Sequence, residues 1–391
     1  MKVAHVITRL IVGGAQENTV SSVIGLREKY GMDVQLLSGP TTGPEGSLVQ
    51  TVRSLGDDFI EVPDLIRAIH PLRDHAAFRF LRDHFLESKP DIVHTHSGKA
   101  GFIGRMAAAA AGVNLIIHSV HGPSFGPFQG WLKNVIYTRA EKAAARKTHH
   151  FISVADAMTR TYVEAGIAPR EKFTRIFSGF ELRDFEKAEN NDDLRRELGI
   201  QNSDFVVGKI GRLFRLKGHD DLFKVAPQIT EAIPEIKFLL IGGGEWEDRF
   251  KRMAEKSGLS DHFVFTGLVP PERIPSLVGI MDLLVHLSFR EGLPRAIPQA
   301  QAAGKPVIAY DCDGAGEVCR DGRTGYLVTP GDLESLHELI LRIYENPDLA
   351  FKFGSQGRDF VLENFSVDRL VDSQYELYTD LTHRMAQNYV I

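Results

Sequence analysis

The sequence predicts an α/β protein made of two doubly wound parallel-sheet domains. Its 391 residues are comfortable for two domains and long for one. Short apolar segments alternate with segments of helical length, which is typical of parallel βαβ units. Many of the 36 glycines follow the apolar segments, where strand-to-helix turns need them. These three observations favour one fold class in both halves of the chain.

The alternation falls into two blocks. After Phe185 the polar sequence EKAENNDDLRREL predicts a linker that leads into a helix. We therefore expect one domain over residues 1–187, a second over 188–366 and a final helical segment within 367–391. Ligands of open α/β sheets bind beyond the carboxyl ends of the strands, so two facing domains would place the site in a central cleft. The candidate strands are Val3–Thr8, Val34–Ser38, Phe59–Val62, Ile92–Thr95, Leu115–Val120, Phe151–Val154, Phe173–Phe177, Phe205–Ile210, Phe238–Ile241, Phe263–Thr266, Leu283–Leu287, Pro306–Tyr310 and Tyr326–Val328.

Composition excludes several classes of protein. The net charge of −5 gives no reason to expect nucleic acid as a partner. Only Cys312 and Cys319 are present, and their spacing fits no metal site. Two thiols in a chain of this size indicate a reducing compartment and not a disulfide scaffold. The N-terminal sequence, with an early Arg9, is not typical of a signal peptide, and the apolar run Met106–Ile117 is too short to span a bilayer. We expect a cytoplasmic protein, and association with the inner face of the membrane stays open.

The first half of the chain is the more basic one. Through Phe185 it has 22 Lys and Arg against 18 Asp and Glu, while the remainder has 24 against 33. This asymmetry favours an anionic partner for the first half, although ordinary scatter explains it equally well. The segment PSFGPFQGWLKNVIY predicts either an amphipathic contact with an anionic membrane or a core-facing helix with a basic outer side. Its apolar and basic residues are Phe125, Phe128, Trp131, Ile136, Lys133, Arg139, Lys142, Arg146 and Lys147.

Three glycine-containing blocks follow predicted strands. Gly13 and Gly14 precede a helix, where the backbone can approach a phosphate, although a plain turn explains them as well. The block GRLFRLKG places Arg212, Arg215 and Lys217 at the carboxyl end of a strand. Such cations bind phosphate oxygens and can neutralise a leaving diphosphate without a metal, whereas the alternative is a solvated basic turn.

The third block, SFREGLPRAIPQAQAAGKPVIAY, carries a carboxylate and an amide. Glu291 and Gly292 follow a strand, Pro294 sets up the next turn or helix, and Gln299 lies eight positions after Glu291. Placed near one face of a helix entry, the two side chains can bind sugar and ribose hydroxyls. The alternative is that they cap the helix and interact with its dipole.

Histidines are dense at the ends of two neighbouring strands. Their number suggests a metal site, but no cysteine or carboxylate cluster accompanies them in the sequence. We therefore expect no metal, with His96 and His121 lining the cleft and His94 and His118 packed or satisfied by backbone groups.

Two further motifs bear charges. Lys99 and Arg105, in GKAGFIGR, open the helix after the His94–His96 strand and are expected to face the cleft, where they would meet an anionic acceptor. The sequence DCD at Asp311–Asp313 looks like a metal-binding DxD motif. We interpret it as a capping and turn element, because it leads into the glycine-rich sequence DGAGE.

Together these blocks resemble glycosyltransferase family 4, the retaining enzymes of the GT-B fold with two Rossmann-like domains facing a cleft. The resemblance spans nearly the whole chain in the family's order, and several independent motifs make it specific. It implies that the last helix crosses back onto the first domain. The matching stretches are VGGAQE, HTHSGKAGFIGR, HSVHG, GRLFRLKG, IGGGE, FTGLVP, FREGLPRAIPQA, GKPVIA and DGRTGYLVTPGD.

The resemblance also implies roles for individual residues. Arg212 and Lys217 match the family's pair on the donor diphosphate, and Glu291 matches the first Glu of its Glu–seven residues–Glu motif, against the donor sugar and phosphate. His121 matches a histidine near the transferred sugar, and Gly14 matches a loop glycine near the phosphate. The remaining donor-side matches are Gly243, Thr266, Gly267, Leu268, Gly292, Leu293, Pro294 and Gln299.

One position departs from the family pattern, because the motif's second Glu is Gln299. Glutamine keeps two hydrogen-bonding ends on nearly the same shape but loses the strength of a charged acceptor. We expect altered donor affinity or preference, with an inactive relative as the alternative.

The resemblance implies a sugar transfer from a UDP- or GDP-linked donor to an acceptor hydroxyl, with retained anomeric configuration and no metal or other cofactor. The acceptor would be a glycan or a lipid-linked sugar. Two alternatives stay open: a sugar-nucleotide 2-epimerase of the same fold, against which GRLFRLKG and EGLP argue, and a non-catalytic nucleotide-sugar-binding protein, which Gln299 motivates.

Overall fold

The protein forms two compact units. The first comprises Met1–Gly179 together with the C-terminal segment that begins at Val367, and the second is Phe180–Ser366. The computed structural model describes residues 1–41, 46–126 and 128–388.

The first unit ends at Gly179 and not at residue 187, where the sequence analysis placed the boundary. Phe180 donates its backbone N–H to the carbonyl of Phe365 at 2.8 Å. The carboxylate of Glu186 pairs with Arg358 at 3.3 Å. Residues just after Gly179 therefore pack with the second unit. The helix from Val367 belongs to the first unit, and the final three residues of the predicted segment lie outside the described residues.

The first unit contains a seven-stranded sheet in which every pairing is parallel. Its strands lie in the order β3-β2-β1-β4-β5-β6-β7. They are β1 (Lys2–Ile7), β2 (Asp33–Ser38), β3 (Phe59–Glu61), β4 (Ile92–His96), β5 (Leu115–Val120), β6 (His150–Ser153) and β7 (Phe173–Arg175).

The second unit contains a six-stranded parallel sheet in the order β10-β9-β8-β11-β12-β13. Each strand of both sheets overlaps a candidate strand of the sequence analysis, so the predicted fold class is confirmed. The strands are β8 (Phe205–Ile210), β9 (Ile236–Ile241), β10 (Phe263–Phe265), β11 (Leu283–His286), β12 (Val307–Tyr310) and β13 (Gly325–Val328).

Helices connect the parallel strands, as βαβ geometry requires. In chain order, the α-helices of the described residues are α1 (Gly14–Tyr30), α2 (Val49–Val52), α3 (Pro71–Ser88), α4 (Gly98–Ala110), α5 (Trp131–Ala145), α6 (Asp156–Glu164), α7 (Arg183–Glu186), α8 (Asp192–Glu197), α9 (His219–Ala232), α10 (Glu247–Lys256), α11 (Ile274–Gly279), α12 (Ala296–Ala302), α13 (Ala315–Val318), α14 (Leu333–Glu345), α15 (Pro347–Asn364) and α16 (Val367–Asn388).

Strand β1 shows why the first sheet is covered on both faces. Val3 and Ile7 join an apolar cluster with residues of α1 and α16, whereas Ala4 and Val6 join a separate cluster with residues of α3 and α4. Alternate side chains of a strand point to opposite faces, so both faces must be apolar for a doubly wound sheet. By the same alternation His5 lies on the face covered by α1 and α16.

Helix α16 returns to the first unit by packing against α1. A Cβ atom at Gly25 would lie 2.4 Å from Val371 Cγ2, so the two helices approach closely only because position 25 has no side chain. Tyr30 stacks on Tyr375 with ring centroids 3.7 Å apart. The hydroxyl of Tyr30 donates to the carboxylate of Asp372 at 2.7 Å.

Each sheet has one point where the strand order reverses, between β1 and β4 in the first sheet and between β8 and β11 in the second. Open α/β sheets bind ligands beyond the carboxyl ends of the strands at such points. His96 ends β4, and the loop from Gly211 to Gly218 follows β8. The fold therefore places sequence-predicted residues at both reversal points.

Candidate active site

An ion pair lies at the reversal point of the second sheet. Lys217 Nζ, in the loop after β8, lies 2.6 Å from Glu291 Oε1, in the loop after β11. His286, the last residue of β11, brings its Nε2 to 3.3 Å from the same oxygen. The two charged residues are 74 positions apart and meet because β8 and β11 are neighbours in the sheet.

Backbone contacts hold the two loops together. The carbonyl of Leu216 accepts hydrogen bonds from the backbone N–H of Phe289 at 2.9 Å and from the hydroxyl of Ser288 at 3.3 Å. A Cβ atom at Gly218 would lie 1.8 Å from the carbonyl oxygen of Leu287, so only glycine fits there. The position of Lys217 relative to Glu291 is thus fixed by backbone groups on either side of it.

Asp313 positions the Glu291 loop from a third element. Its Oδ2 accepts the backbone N–H of Glu291 at 2.7 Å. The next residue, Gly314, donates its N–H to the carbonyl of Gly292 at 3.2 Å. Asp313 has a φ of 50°, a left-handed conformation that Asp and Asn tolerate better than most residues. The turn that was predicted at Asp311–Asp313 therefore carries a contact to Glu291.

Replacing Asp313 with alanine should lower turnover by about tenfold, the lower end of what loss of a supporting contact costs at an active site. The matched variant Asp313→Asn keeps an acceptor oxygen and the left-handed preference, so its turnover should stay close to that of the wild type. Steady-state kinetics on both variants checks this. Equal losses in both would show that the charge of Asp313, and not the accepted hydrogen bond, is what matters.

The charges of this site are strongly coupled. Burial raises the pKa of Glu291, but the hydrogen bond from His286 and the charge of Lys217 outweigh it and hold the pKa well below its usual range. Burial lowers the pKa of His286. Burial, reinforced by the nearby charge of Lys217, lowers the pKa of Lys209 to about 7. Glu291 is therefore ionised near neutral pH. Lys209, whose pKa is lowered to about 7, is only partly protonated there.

Two arginines of the same loop are exposed. Arg212 lies with its guanidinium 5.9 Å from the ring centroid of Phe214, and neither Arg212 nor Arg215 makes an ion pair within the part of the chain that the structure describes. A guanidinium with unfilled donors can bind two oxygens of a phosphate side by side. The loop therefore offers cationic groups that are not already neutralised.

A glycine-rich turn after β9 packs against this loop. Cβ atoms at Gly242 and Gly244 would lie 2.5 Å from the carbonyl oxygen of Gly211 and 2.4 Å from that of Leu213. Gly242 also donates its backbone N–H to Gly267 in the loop after β10. Three loops at the carboxyl edge of the second sheet are thus in backbone contact. The side chain of Leu268 is 77% exposed beside them.

The other sequence-predicted donor residues lie in the same region of the second unit. Gly243 would place a Cβ atom 3.1 Å from the backbone nitrogen of Leu268. Thr266 donates its hydroxyl to the carbonyl of Gly267 at 3.0 Å. Gly292 and Leu293 are half-buried in the Glu291 loop, and Pro294 is buried.

Gln299 lies in α12, whereas Glu291 lies in the loop before this helix. The two residues therefore do not share a helix face. Gln299 is only 4% exposed.

Gly14 and His121 lie in the first unit, and their roles towards a ligand stay predictions. Gly14 is the first residue of α1 and follows the N-cap residue Gly13. His121 directly follows β5 and is half-buried, with its Nε2 3.2 Å from His96 Nδ1.

Two acceptor-side predictions need correction, and the third stays a prediction. His96 does not line a surface: it is 0% exposed. Lys99 pairs with Asp74 at 2.5 Å, much as Lys217 pairs with Glu291, and its contact with an anionic acceptor stays a prediction. Arg105 is 0% exposed and pairs with Glu141 at 2.8 Å. Packing determines which side of α4 carries Arg105, and this side faces the interior of the first unit.

Arg105→Met should lower the free energy of unfolding by about 3–5 kcal/mol, because it leaves Glu141 charged and unpaired in the interior. Chemical denaturation measures the loss. The double variant Arg105→Met, Glu141→Leu should recover most of it, since the pair is then replaced by apolar groups. Wild-type stability in the single variant, together with weakened acceptor binding, would instead restore the acceptor role.

The basic segment around α5 is exposed in part. Phe125 is 4% exposed and belongs to the interior, whereas Trp131, Leu132 and Ile136 are 78%, 56% and 52% exposed. Contact of this segment with an anionic membrane stays a prediction. None of the helices within the described ranges has the length and apolar character needed to cross a bilayer.

A histidine cluster lies at the reversal point of the first sheet. Nitrogen atoms of His5, His94 and His96 lie within 4.8 Å of one another, close enough to suggest a metal site. Both ring nitrogens of His94 are engaged, one by Tyr378 and one by Ser119. The lone pairs therefore do not converge on one point, and the arrangement fits a hydrogen-bonded network better than a metal centre.

Sequence reasoning missed four residues that the structure brings to these two places, and it assigned Asp313 a turn role without its contact to Glu291. His5 carried a usable signal, since it lies on the first strand, but its pairing with His94 depends on strand register. The other three missed residues belong to no local motif. They are Lys209, His286 and Tyr378.

Two families of known proteins match the chain, one in each half. Residues 190–360 match the family described as glycosyl transferases group 1, and residues 13–178 match the glycosyl transferase 4-like domain. Together the two matches cover most of the chain and both units.

Two relatives and one solved structure illustrate the likeness. The chain is 28% identical over 388 residues to UDP-Gal:alpha-D-GlcNAc-diphosphoundecaprenol alpha-1,3-galactosyltransferase of Escherichia coli, with 97% of each chain covered. It is 27% identical to the capsular polysaccharide biosynthesis glycosyltransferase CapM of Staphylococcus aureus, covering 84% of this chain and 89% of CapM. The crystal structure of HepE from Anabaena in complex with UDP superposes with a TM-score of 0.82 at 22% identity, over 97% of this chain and all of HepE.

Proposed function

The chain belongs to glycosyltransferase family 4, of the GT-B fold, and from this premise we propose that it is a retaining, metal-independent transferase that uses a nucleoside-diphosphate sugar. Its relatives are glycosyltransferases of bacterial glycan synthesis. The observation that carries the proposal is the Lys217–Glu291 pair at the reversal point of the second sheet, with the exposed guanidinium of Arg212 in the same loop.

The positive charges of the loop after β8 can stabilise a diphosphate as it leaves the sugar. Arg212 would bind phosphate oxygens with its guanidinium, and Lys217 would add a second positive charge. Positive groups that are already in place stabilise charge as it grows on the leaving group, without reorganisation during the reaction. With two cations present, a divalent ion is not required for this step.

The proposed reaction takes place on one face of the sugar. The acceptor oxygen forms a bond to the anomeric carbon as the bond from that carbon to the diphosphate oxygen breaks, and its electron pair stays on the diphosphate. The acceptor proton passes to a leaving phosphate oxygen. Glu291, ionised and held by Lys217 and His286, would accept hydrogen bonds from sugar hydroxyls. His121 would orient a hydroxyl of the transferred sugar.

The names of the relatives suggest donor and acceptor classes. The Escherichia coli relative uses UDP-Gal and a lipid-linked diphosphate sugar, and the HepE structure contains UDP. We take a UDP-sugar as the first donor candidate, with GDP-sugars next, and a glycan or lipid-linked sugar as the acceptor. Such an acceptor would bring the enzyme to the inner face of the membrane, where the exposed apolar residues of α5 would contact the lipid.

Thermal unfolding in the presence of UDP, GDP, ADP and their sugars tests the donor class. A nucleotide that binds the folded state raises its apparent stability by mass action. We expect one diphosphate to raise the melting temperature in the presence of a chelator. Incubation with the matching nucleotide-sugar should then release nucleotide slowly by hydrolysis. Absence of any shift, or release of an epimerised nucleotide-sugar without acceptor, would contradict the proposal.

The lowered pKa of Lys209 predicts that donor binding depends on pH. Since its pKa is lowered to about 7, it is largely neutral above that pH. A diphosphate bound at the neighbouring Lys217 would favour the charged form of Lys209, so we expect binding above pH 7 to take up a proton and affinity to fall as the pH rises. Calorimetry in buffers of different ionisation enthalpy measures the uptake. Lys209→Met should show less proton uptake than the wild type, and equal uptake in both would reject this assignment.

A further inference from the structure

A chain of hydrogen bonds crosses the interior of the first unit from α16 to His121. The hydroxyl oxygen of Tyr378 lies 3.4 Å from His5 Nε2, and His5 Nδ1 lies 2.9 Å from His96 Nε2. His96 Nδ1 in turn lies 3.2 Å from His121 Nε2. Tyr378, His5 and His96 are each 0% exposed, so water does not compete for these contacts.

The tyrosine also begins a side branch. Its hydroxyl oxygen lies 2.5 Å from His94 Nδ1, and His94 Nε2 lies 2.8 Å from Ser119 Oγ. Strand register explains how the two branches meet, because His5 and His94 are directly paired residues of β1 and β4. Tyr378 thus holds two histidines at once through a single oxygen.

All the imidazoles of the network are neutral near pH 7. Burial lowers the pKa of His5 to about 3 and that of His121 to about 4. Burial, together with the neighbouring histidines, lowers the pKa of His94 and His96 well below the usual value. A neutral imidazole has one N–H and one lone pair, so each ring must donate at one nitrogen and accept at the other. Once the donor and the acceptor of one hydrogen bond are known, the donor and the acceptor of every other hydrogen bond in the network follow.

The distances at Tyr378 identify the donor and the acceptor at this hydroxyl. A phenol has one proton, which can go either to His94 or to His5. The 2.5 Å separation from His94 Nδ1 is at the short limit for an O–H donor and below the usual range for an N–H donor, so the hydroxyl proton lies on this bond. The 3.4 Å separation from His5 Nε2 is longer than usual, and that contact is left for a weaker N–H donation to the oxygen. The hydroxyl therefore donates to His94 and accepts from His5.

We propose that Tyr378, through His5 and His96, holds His121 in the tautomer that carries its proton on Nε2 and leaves Nδ1 as a hydrogen-bond acceptor. His5 Nε2–H donates to Tyr378, which leaves His5 Nδ1 to accept from His96 Nε2–H. His96 Nδ1 then accepts from His121 Nε2–H. Tyr378, His5 and His96 are positioning residues, since none of them is exposed to a ligand.

The consequence for chemistry rests on the proposed function. No group of the described residues is hydrogen-bonded to His121 Nδ1, so this lone pair is left for a ligand. It would accept a hydrogen bond from a hydroxyl of the transferred sugar, and the opposite tautomer would instead present an N–H there. Helix α16 thus supplies the Tyr378 hydroxyl, which determines whether His121 Nδ1 accepts or donates a hydrogen bond at the sugar.

Nitrogen-15 NMR of the full-length protein, labelled at histidine and free of ligand, tests the tautomer directly. His121→Asn identifies the His121 resonances by their loss. In the wild type at about pH 7.5, well above the lowered pKa values, we expect a protonated Nε2 and an unprotonated Nδ1 for His121. A protonated Nδ1 would overturn the proposal, and this measurement decides the direction even if variants of the network do not fold.

Tyr378→Phe tests the control by α16. Without the hydroxyl, His94 loses its donor and His5 its acceptor, so His121 should show a mixture of tautomers. The matched variant Tyr375→Phe changes the same helix outside the network, where the ring stacks on Tyr30, and should leave His121 unchanged. An unchanged His121 tautomer in folded Tyr378→Phe would also overturn the proposal.

Kinetics separates this inference from the proposed function. Tyr378→Phe should lower kcat by about tenfold, as loss of a supporting contact does, with the Kd for UDP unchanged. His121→Asn should lower kcat at least as much. If the tautomer is as stated but His121→Asn turns over like the wild type, the role of His121 towards the sugar fails and the network stands. If the tautomer differs, the network fails whatever the activity shows.

Discussion

Lys217→Ala should lower kcat by about 10²–10³-fold, the cost of removing one pre-positioned group that stabilises charge in a transition state. The side chain lies 2.6 Å from Glu291 at the carboxyl end of the second sheet, where the proposed diphosphate would leave. The free energy of unfolding should change by only about 1 kcal/mol, because the pair is partly open to solvent. Turnover and chemical denaturation on the same preparation separate the two effects.

The matched control is Lys251→Ala. Lys251 also pairs with a glutamate, Glu247, at 2.8 Å, but on the exposed side of α10. Its loss should leave kcat unchanged and affect stability by a similar small amount. Turnover like the wild type in Lys217→Ala would reject a role in diphosphate departure.

Glu291→Gln is expected to lower kcat by about 10²-fold, by analogy with the removal of a single positioned polar group at a transition state. The substitution keeps the shape of the side chain but removes the charge that Lys217 and His286 hold in place. The fold should persist, since the backbone N–H of Glu291 still donates to Asp313. The loss should appear mainly in kcat, because the carboxylate is proposed to bind the sugar as charge develops on it.

Glu247→Gln provides the matched control for that variant, since it removes the charge of an exposed pair on α10. Its turnover should equal that of the wild type. If Glu291→Gln raised only the KM for the donor, the carboxylate would bind ground state and transition state equally. If it had no effect at all, Glu291 would be a structural partner of Lys217.

The sheets were predictable because parallel strands that are buried on both faces appear in the sequence as short continuous apolar runs. The positions of Arg212, Lys217 and Glu291 after such runs were predictable for the same reason. Their pairing was not, because it depends on β8 and β11 being neighbours in a sheet whose strand order differs from the chain order.

Errors arose where packing decides the outcome. Arg105 was predicted to face a ligand, and the interior of the first unit instead contains it with Glu141. The sequence shows that a helix carries an arginine but not which neighbour covers it. Tyr378 and His5 escaped notice because they are 373 residues apart and meet only when α16 returns to the first sheet.

Nucleotide binding in the presence of a chelator tests the role of the cationic loop most directly, through the ratio of the Kd for uridine to the Kd for UDP. The two ligands differ only in the diphosphate, so the ratio isolates its contribution; guanosine and GDP serve if thermal unfolding selects that base. The wild type should bind UDP at least about 10²-fold more tightly than uridine, as charged hydrogen bonds to phosphate predict. The double variant Arg212→Ala, Lys217→Ala should lose most of this preference while its Kd for uridine is unchanged. A preference that survives the double variant, or that appears only with a divalent ion, would contradict metal-free neutralisation of the diphosphate by these two cations.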